Sequence, residues 1–145
     1  MQNCKQFKNM KNKPNTPKVG VGILLVNDDG KVLMMQRQGS HGSGCWSFPG
    51  GHLEIGETEF ECCKRELKEE TNLTLTALTK LSFSNDINED EGLHYVTLYF
   101  TGEFRGTLKN MEPEKCKNIG WFSINDLPSP LFGNISKVLG IKNDK

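Results

Sequence analysis

The stretch GGHLEIGETEFECCKRELKEETNL, Gly50 to Leu73, decides how this chain is read. Thr58 and Glu61 stand in the T-x-x-E relation of a capping box, in which the hydroxyl accepts from the N–H of the third helical residue and the carboxylate reaches back to the cap. A helix is therefore expected from near Glu59. Asn72 follows the last charged turn, and Asn tolerates the left-handed backbone that closes many helices, so the helix should end near Thr71. Phe60, Cys63 and Leu67 recur at three- and four-residue steps and give it one apolar stripe facing a core.

The other side of that helix carries the chemistry. At about 100° per residue, Glu66, Glu69 and Glu70 fall within roughly 100° of one another and look into a groove beside the core. Like charges so placed repel by roughly 0.2–0.5 kcal/mol per pair, and each opposes the helix macrodipole by roughly 0.3–1 kcal/mol. A hard cation such as Mg²⁺ or Mn²⁺ reverses both penalties, because it takes oxygen ligands from carboxylates, carbonyls, water and phosphate. A solvated acidic helix end, screened by Lys64 and Lys68, explains the glutamates alone equally well. Pro49-Gly50-Gly51 tilts the balance: read as a sharp turn, its paired glycines let backbone approach a ligand and leave a carbonyl free for a metal.

The order Gly51, five residues, Glu57, seven residues, then Arg65-Glu66-Leu67-x-Glu69-Glu70-x-x-Leu73 resembles the Nudix box, with Asn72 where that family usually has glycine. So many fixed positions make a specific signal. The resemblance implies hydrolysis of a phosphoanhydride in a nucleoside diphosphate linked to another group, with Mg²⁺ as cofactor and Mn²⁺ as its substitute. Carried over, Glu66 and Glu70 match principal metal ligands, and Glu69 a third carboxylate that ligates a metal or handles the water's proton. Gly51 matches a carbonyl donor, and Arg65 and Glu57 a pair that holds the carboxylates in place. The implied fold is α/β, an α/β/α sandwich around a mixed β-sheet.

Further stretches, Val19-Gly20-Val21-Gly22, His94-Tyr95-Val96-Thr97 and Glu112-Pro113-Glu114-Lys115, are similar to one branch of that family. That branch cleaves nucleoside triphosphates, thiopurine and oxidised-guanine forms among them, to a monophosphate and pyrophosphate. By this likeness Arg37, Gly50 and Thr97 sit at substrate positions, and Leu131, Phe132 and Gly133 wall the base. His52 and His94 either contact phosphate or complete hydrogen bonds beside the loop, and Glu114 either reaches the metals or is surface. Two other readings remain: an ADP-ribose, nucleotide-sugar or dinucleotide pyrophosphatase, and a nucleotide-binding module without catalysis. Homodimerisation, common among such proteins, is left open by the sequence.

Composition sets no obstacle. The 145 residues suit one domain, with 35% hydrophobic and 25% charged residues and a formal net charge of zero. Zero net charge points away from nucleic-acid polymers and anionic membranes as partners, and no apolar run reaches the length of a membrane span. The partner expected is the nucleotide itself. Five cysteines without C-x-x-C spacing argue against a disulfide framework or zinc site and for a reducing compartment, the cytoplasm. Residues 1–18 hold five lysines, no acid and no secretory apolar stretch, and are expected to form a flexible tail ahead of a domain over 19–145.

Outside the box, Val19 to Val26 and Lys31 to Arg37 flank Asp28-Asp29-Gly30 and are expected to pair as a hairpin. Gly39 to Gly44 is expected as a flexible loop. Leu73 to Phe83 and Leu93 to Phe104 alternate as strands do, with the acidic segment Asn85 to Glu91 between them as a solvated loop. A short strand near Ile119 to Phe122 and a helix after Pro130 are expected to close the chain.

Overall fold

The computed structural model describes residues 16–39 and 41–140. Along the chain run β1 (Lys18–Leu24), β2 (Val32–Arg37), β3 (Trp46–Ser47), β4 (Gly50–His52), α1 (Glu59–Thr71), β5 (Thr74–Asn88), β6 (Leu93–Arg105), β7 (Cys116–Phe122) and α2 (Ile135–Val138). Most of the expected tail lies outside the described residues, and Lys18 already belongs to β1.

Local chemistry sets α1 as its sequence requires. Glu61 N–H donates to Thr58 Oγ1 at 3.1 Å, and Thr58 N–H donates to Glu61 Oε1 at 2.9 Å. At the other end Asn72 is left-handed, with φ 68°, and its N–H donates to Lys68 O. Its amide Nδ2 also donates to Thr107 O at 3.1 Å, a bond that glycine could not make and that offsets part of the left-handed strain. Cys63 and Leu67 of the apolar stripe are fully buried, and Phe60 packs beside them.

Four strands form a mixed sheet in the order β4-β1-β6-β5, with β1 parallel to β6 and the other pairs antiparallel. A second, antiparallel sheet has the order β3-β2-β7. Alternation along β6 shows how the layers stack. Phe100 joins Val21, Ile23, Leu67 and Leu75 in the core beneath α1, whereas Tyr99 joins Val32, Met34, Phe48 and Ile135 in a second core. The mixed sheet thus carries α1 on one face and α2 on the other, while the second sheet contributes to both cores, through Leu33 to the first and Val32 to the second, in the α/β/α arrangement expected. Among the described residues no helix is long and apolar enough to cross a membrane.

Three expectations need correction. The turn after Val26 forms, with Asn27 Oδ1 accepting from the N–H of Asp29 and of Lys31, but the hairpin does not continue. Beyond the Val26–Val32 bridge the strands part into different sheets, because both edges of β1 are taken, by β4 and β6. Pro49-Gly50-Gly51 is not a sharp turn: Gly50 and Gly51 are strand residues facing Gly22 and Val21. Asn85 to Asn88 is strand rather than solvated loop, held by ladder pairs to residues 93–96, so that only residues 89–92 turn. The helix expected after Pro130 does form, as a single four-residue span.

Candidate functional site

Two glycines let β4 pack between β1 and α1. A Cβ on Gly50 would run into Val21 O of β1, and one on Gly51 would overlap the Glu66 carboxylate, so the strand reaches both neighbours only because the two positions lack side chains. Gly50 N–H then donates to Glu70 Oε1 at 2.8 Å.

Behind this contact one guanidinium gathers most of the acidic groups. Arg65 forks onto Glu57, with Nε to Oε2 at 2.7 Å and Nη2 to Oε1 at 2.9 Å. Its Nη1 donates to Glu66 at 2.5 Å and to Glu69 at 3.0 Å, and Nη2 also donates to His52 O at 3.1 Å. Arg65 and Glu57 do not line the cleft in front of them; Gly50, Gly51, Glu66, Glu69 and Glu70 do.

Hydrogen bonds from Arg65 and from Glu54 N–H hold the Glu57 carboxyl down to about 2. A carboxyl whose folded pKa is depressed adds stability that is present above its unfolded value and lost as pH falls through the folded one. Thermal melts should therefore fall between about pH 4.5 and pH 2, and Glu57→Gln should flatten that acid limb. An acid limb of unchanged steepness in Glu57→Gln would contradict the assignment.

Burial acts oppositely on the cleft-facing pair. It pushes Glu70 up to about 8 against the lowering effect of Gly50 N–H, with Glu66 and Glu112 adding repulsion. Glu66 is also raised, again chiefly by burial, while Arg65 opposes the shift. The sequence alone does not single out Glu112; it raises only the nearby Glu114. What brings it here is long-range docking: Lys109 N–H donates to Thr71 O and Met111 N–H to Glu70 O, so this segment satisfies carbonyls at the end of α1. Glu112 and Glu114 both line the cleft.

Among the described residues no three acidic, histidine or cysteine side chains stand as a preassembled ligand group. Arg65 holds Glu66 and Glu69, and Gly50 holds Glu70. The donor chemistry nonetheless fits a hard divalent cation: carboxylate oxygens crowd one place, where burial and mutual repulsion make their charge costly. Glu66, Glu69 and Glu70, with the Gly51 carbonyl, are the residues that would hold it.

The other end of the same cleft, about 1500 Å³ in all, is aromatic and polar. The Arg37 guanidinium lies 4.1 Å from the Phe132 ring centre, and Arg37 Nε donates to His41 O at 3.0 Å. The His41 ring meets Phe132 edge-on, and a Cβ on Gly42 would overlap that same ring. The described residues of the glycine-rich loop therefore wrap around Phe132. Thr97 lines the cleft as well, but Leu131 does not. Phe132 N–H donates to Trp46 O while Trp46 N–H donates to Pro130 O, and Leu131 packs into the second core. Leu131 and Phe132 both pack against the second core, and of the two Phe132 also lines the cleft. His52 stacks on Tyr95 and shares a hydrogen bond with its hydroxyl, and His94 bonds Asn85.

Comparison with known proteins gives the family. The NUDIX domain family matches residues 16–139. An ADP-ribose pyrophosphatase of Methanocaldococcus jannaschii is 31% identical over 109 residues, 74% of this chain and 63% of that protein. An 8-oxo-dGDP phosphatase of Mus musculus is 33% identical over 112 residues, again 74% of this chain but 33% of the other. The chain thus spans less than two thirds of the length of either. Among solved structures, a MutT NUDIX hydrolase from Burkholderia pseudomallei superposes with a TM-score of 0.82 at 32% identity, over 86% of this chain and 97% of that one. The NUDIX domain of Shewanella oneidensis NrtR, solved with ADP ribose, shares the fold at 21% identity and a TM-score of 0.73, over 97% and 96% of the two chains. With the Gly51-to-Leu73 motif folded into one helix and strand at a shared cleft, this chain belongs to the Nudix family.

Proposed function

We propose that this chain is a Mg²⁺-dependent hydrolase that cleaves nucleoside triphosphates to a nucleoside monophosphate and pyrophosphate. One observation carries the reading: the carboxylates of Glu66, Glu69, Glu70 and Glu112 and the aromatic subsite of Arg37 and Phe132 line a single cleft. Nucleotide hydrolysis needs both ends, one for phosphates and one for a base.

In this reading Glu66 and Glu70 are the principal cation ligands, joined by Glu69 and the Gly51 carbonyl. When bound, Mg²⁺ supplies Lewis-acid stabilisation of phosphate oxygens and of charge on the leaving pyrophosphate. Arg65 and Glu57 act as positioning residues, since the guanidinium fixes Glu66 and Glu69 from outside the cleft. Arg37, Gly50, Thr97 and Phe132 contact the nucleotide. Among the described residues the cysteines at 45, 62, 63 and 116 form no disulfide; a cytoplasmic location is part of this proposal and rests on the sequence reading of the cysteine pattern.

A second reading, ADP-ribose pyrophosphatase, is favoured by the Methanocaldococcus jannaschii relative. A panel of nucleoside triphosphates and diphosphates, ADP-ribose and diadenosine polyphosphates with Mg²⁺ separates the two. Pyrophosphate and monophosphate released from triphosphates are expected. Turnover of ADP-ribose alone would transfer the function to the second reading, and saturable binding without turnover would remove hydrolysis altogether.

A further inference from the structure

Glu112 is held in the cleft by neither of the contacts that fix the other carboxylates, Arg65 for Glu66 and Glu69 and Gly50 for Glu70. Among the described residues its one ion pair, to Lys115, is 4.0 Å long, and an exposed pair of that length contributes little. Main chain therefore decides where Glu112 points. Its segment is docked at both ends: Met111 N–H donates to Glu70 O, and Gln38 N–H, just past β2, donates to Lys115 O at 2.9 Å.

One amide ties the segment between. Asn110 Oδ1 accepts from Glu112 N–H at 3.2 Å, the pattern of an Asx turn, while Asn110 Nδ2 donates to Cys116 O at 2.7 Å. Inside that bridge Glu112 O accepts from the N–H of Lys115 and of Cys116, each at 2.9 Å. An N–H can only donate and a carbonyl only accept, so the two partners together fix which way the Asn110 amide faces. A side chain must carry both an acceptor and a donor to meet them. Asn110 is half-buried and does not itself line the cleft, whereas Glu112 does.

We infer that Asn110 is a positioning residue for the proposed reaction: from outside the cleft it holds the loop over residues 110–116 so that Glu112 stands as a fourth carboxylate beside Glu66 and Glu70. A hard cation gains from each further oxygen donor within reach, so the bridge that aims Glu112 raises cation affinity through Glu112 alone. Without the bonds to Glu112 N–H and Cys116 O, the two ends of the loop lose their tie and the carboxylate its fixed place. This role rests on the cleft binding a cation, as proposed above.

Calorimetric titration of Mn²⁺, with a non-hydrolysable nucleoside triphosphate analogue present, tests this role without requiring turnover. Glu112→Gln and Asn110→Ala should each weaken Mn²⁺ binding about three- to tenfold, and the double variant should bind no more weakly than Glu112→Gln, because Asn110 then has no carboxylate left to aim. Asn110→Ser, whose hydroxyl keeps the turn to Glu112 N–H but is too short for Cys116 O, should recover part of the loss. Melting temperature is the structural control, which Asn110→Ala should lower equally with Glu112 or Gln at position 112. If Asn110→Ala fails to fold, Asn110→Ser in the same two backgrounds decides. Full Mn²⁺ binding by Glu112→Gln or by Asn110→Ala, or an undiminished further loss in the double variant, overturns the role of Asn110 in a wild type that does bind Mn²⁺. A wild type that takes up no Mn²⁺ would instead sink the hydrolase proposal, and this role with it.

Discussion

Replacing Glu70 by glutamine is expected to lower kcat about 10²–10⁴-fold while leaving the metal-free fold as stable as before, or more so above neutral pH. Gln keeps an oxygen for the Gly50 N–H, so the bond tying α1 to β4 survives. What disappears is a charge that the protein alone does not favour, since burial pushes this carboxyl up to about 8. A carboxyl raised in the folded state contributes stability that is full below its unfolded pKa and lost as pH rises through the folded value. In chelator at pH 8.5 the variant should therefore melt at or above the wild type, whereas added Mg²⁺ should raise the melting temperature of the wild type alone. Parallel losses of melting temperature and activity would mean that Glu70 is a structural residue.

Gly50→Ala should produce the largest loss of folding stability of any single-methyl addition at the site, on the order of 1–3 kcal/mol. The added carbon meets the main-chain oxygen of Val21, which cannot rotate away as a side chain would. The β1–β4 register, Gly20 to His52 through Gly22 to Gly50, must shift to admit it. Since Gly50 N–H holds Glu70 and Gly51 lies against Glu66, turnover should fall with the register. Gly120→Ala on β7 is the control, because its new carbon would find only the tip of Phe122, at 3.9 Å, and should change neither property. A Gly50→Ala protein as stable and active as that control would contradict the close packing of β4 against β1.

How much of this was legible in the sequence depends on the range of the interactions. The bounds of α1 were, because Thr58, Glu61 and Asn72 act within a few residues of the ends they cap. The Gly50-Gly51 pair was legible as a close backbone approach but not as strand, since the partner that requires it, Val21, lies some thirty residues earlier. Glu112 was hidden because only docking of residues 109–111 onto the last carbonyls of α1 carries it to Glu66 and Glu70. That Asp86 lines the cleft was hidden by composition. An acidic run reads as a solvated loop, and only pairing with β6 reveals that Ser84 and Asp86 alternate on a strand beside Thr97. Leu131 and Phe132 show the reverse: both are apolar neighbours that pack against the second core, and only the fold reveals that Phe132 lines the cleft as well.

Calorimetric titration of Mn²⁺ into wild-type protein and Glu70→Gln, with a non-hydrolysable nucleoside triphosphate analogue present, tests the central claim most directly. Saturable Mn²⁺ binding by the wild type, weakened about tenfold or more by the single change of carboxylate to amide, is the expected result. Absence of Mn²⁺ and Mg²⁺ uptake by the wild type, or identical binding by both proteins, would contradict it.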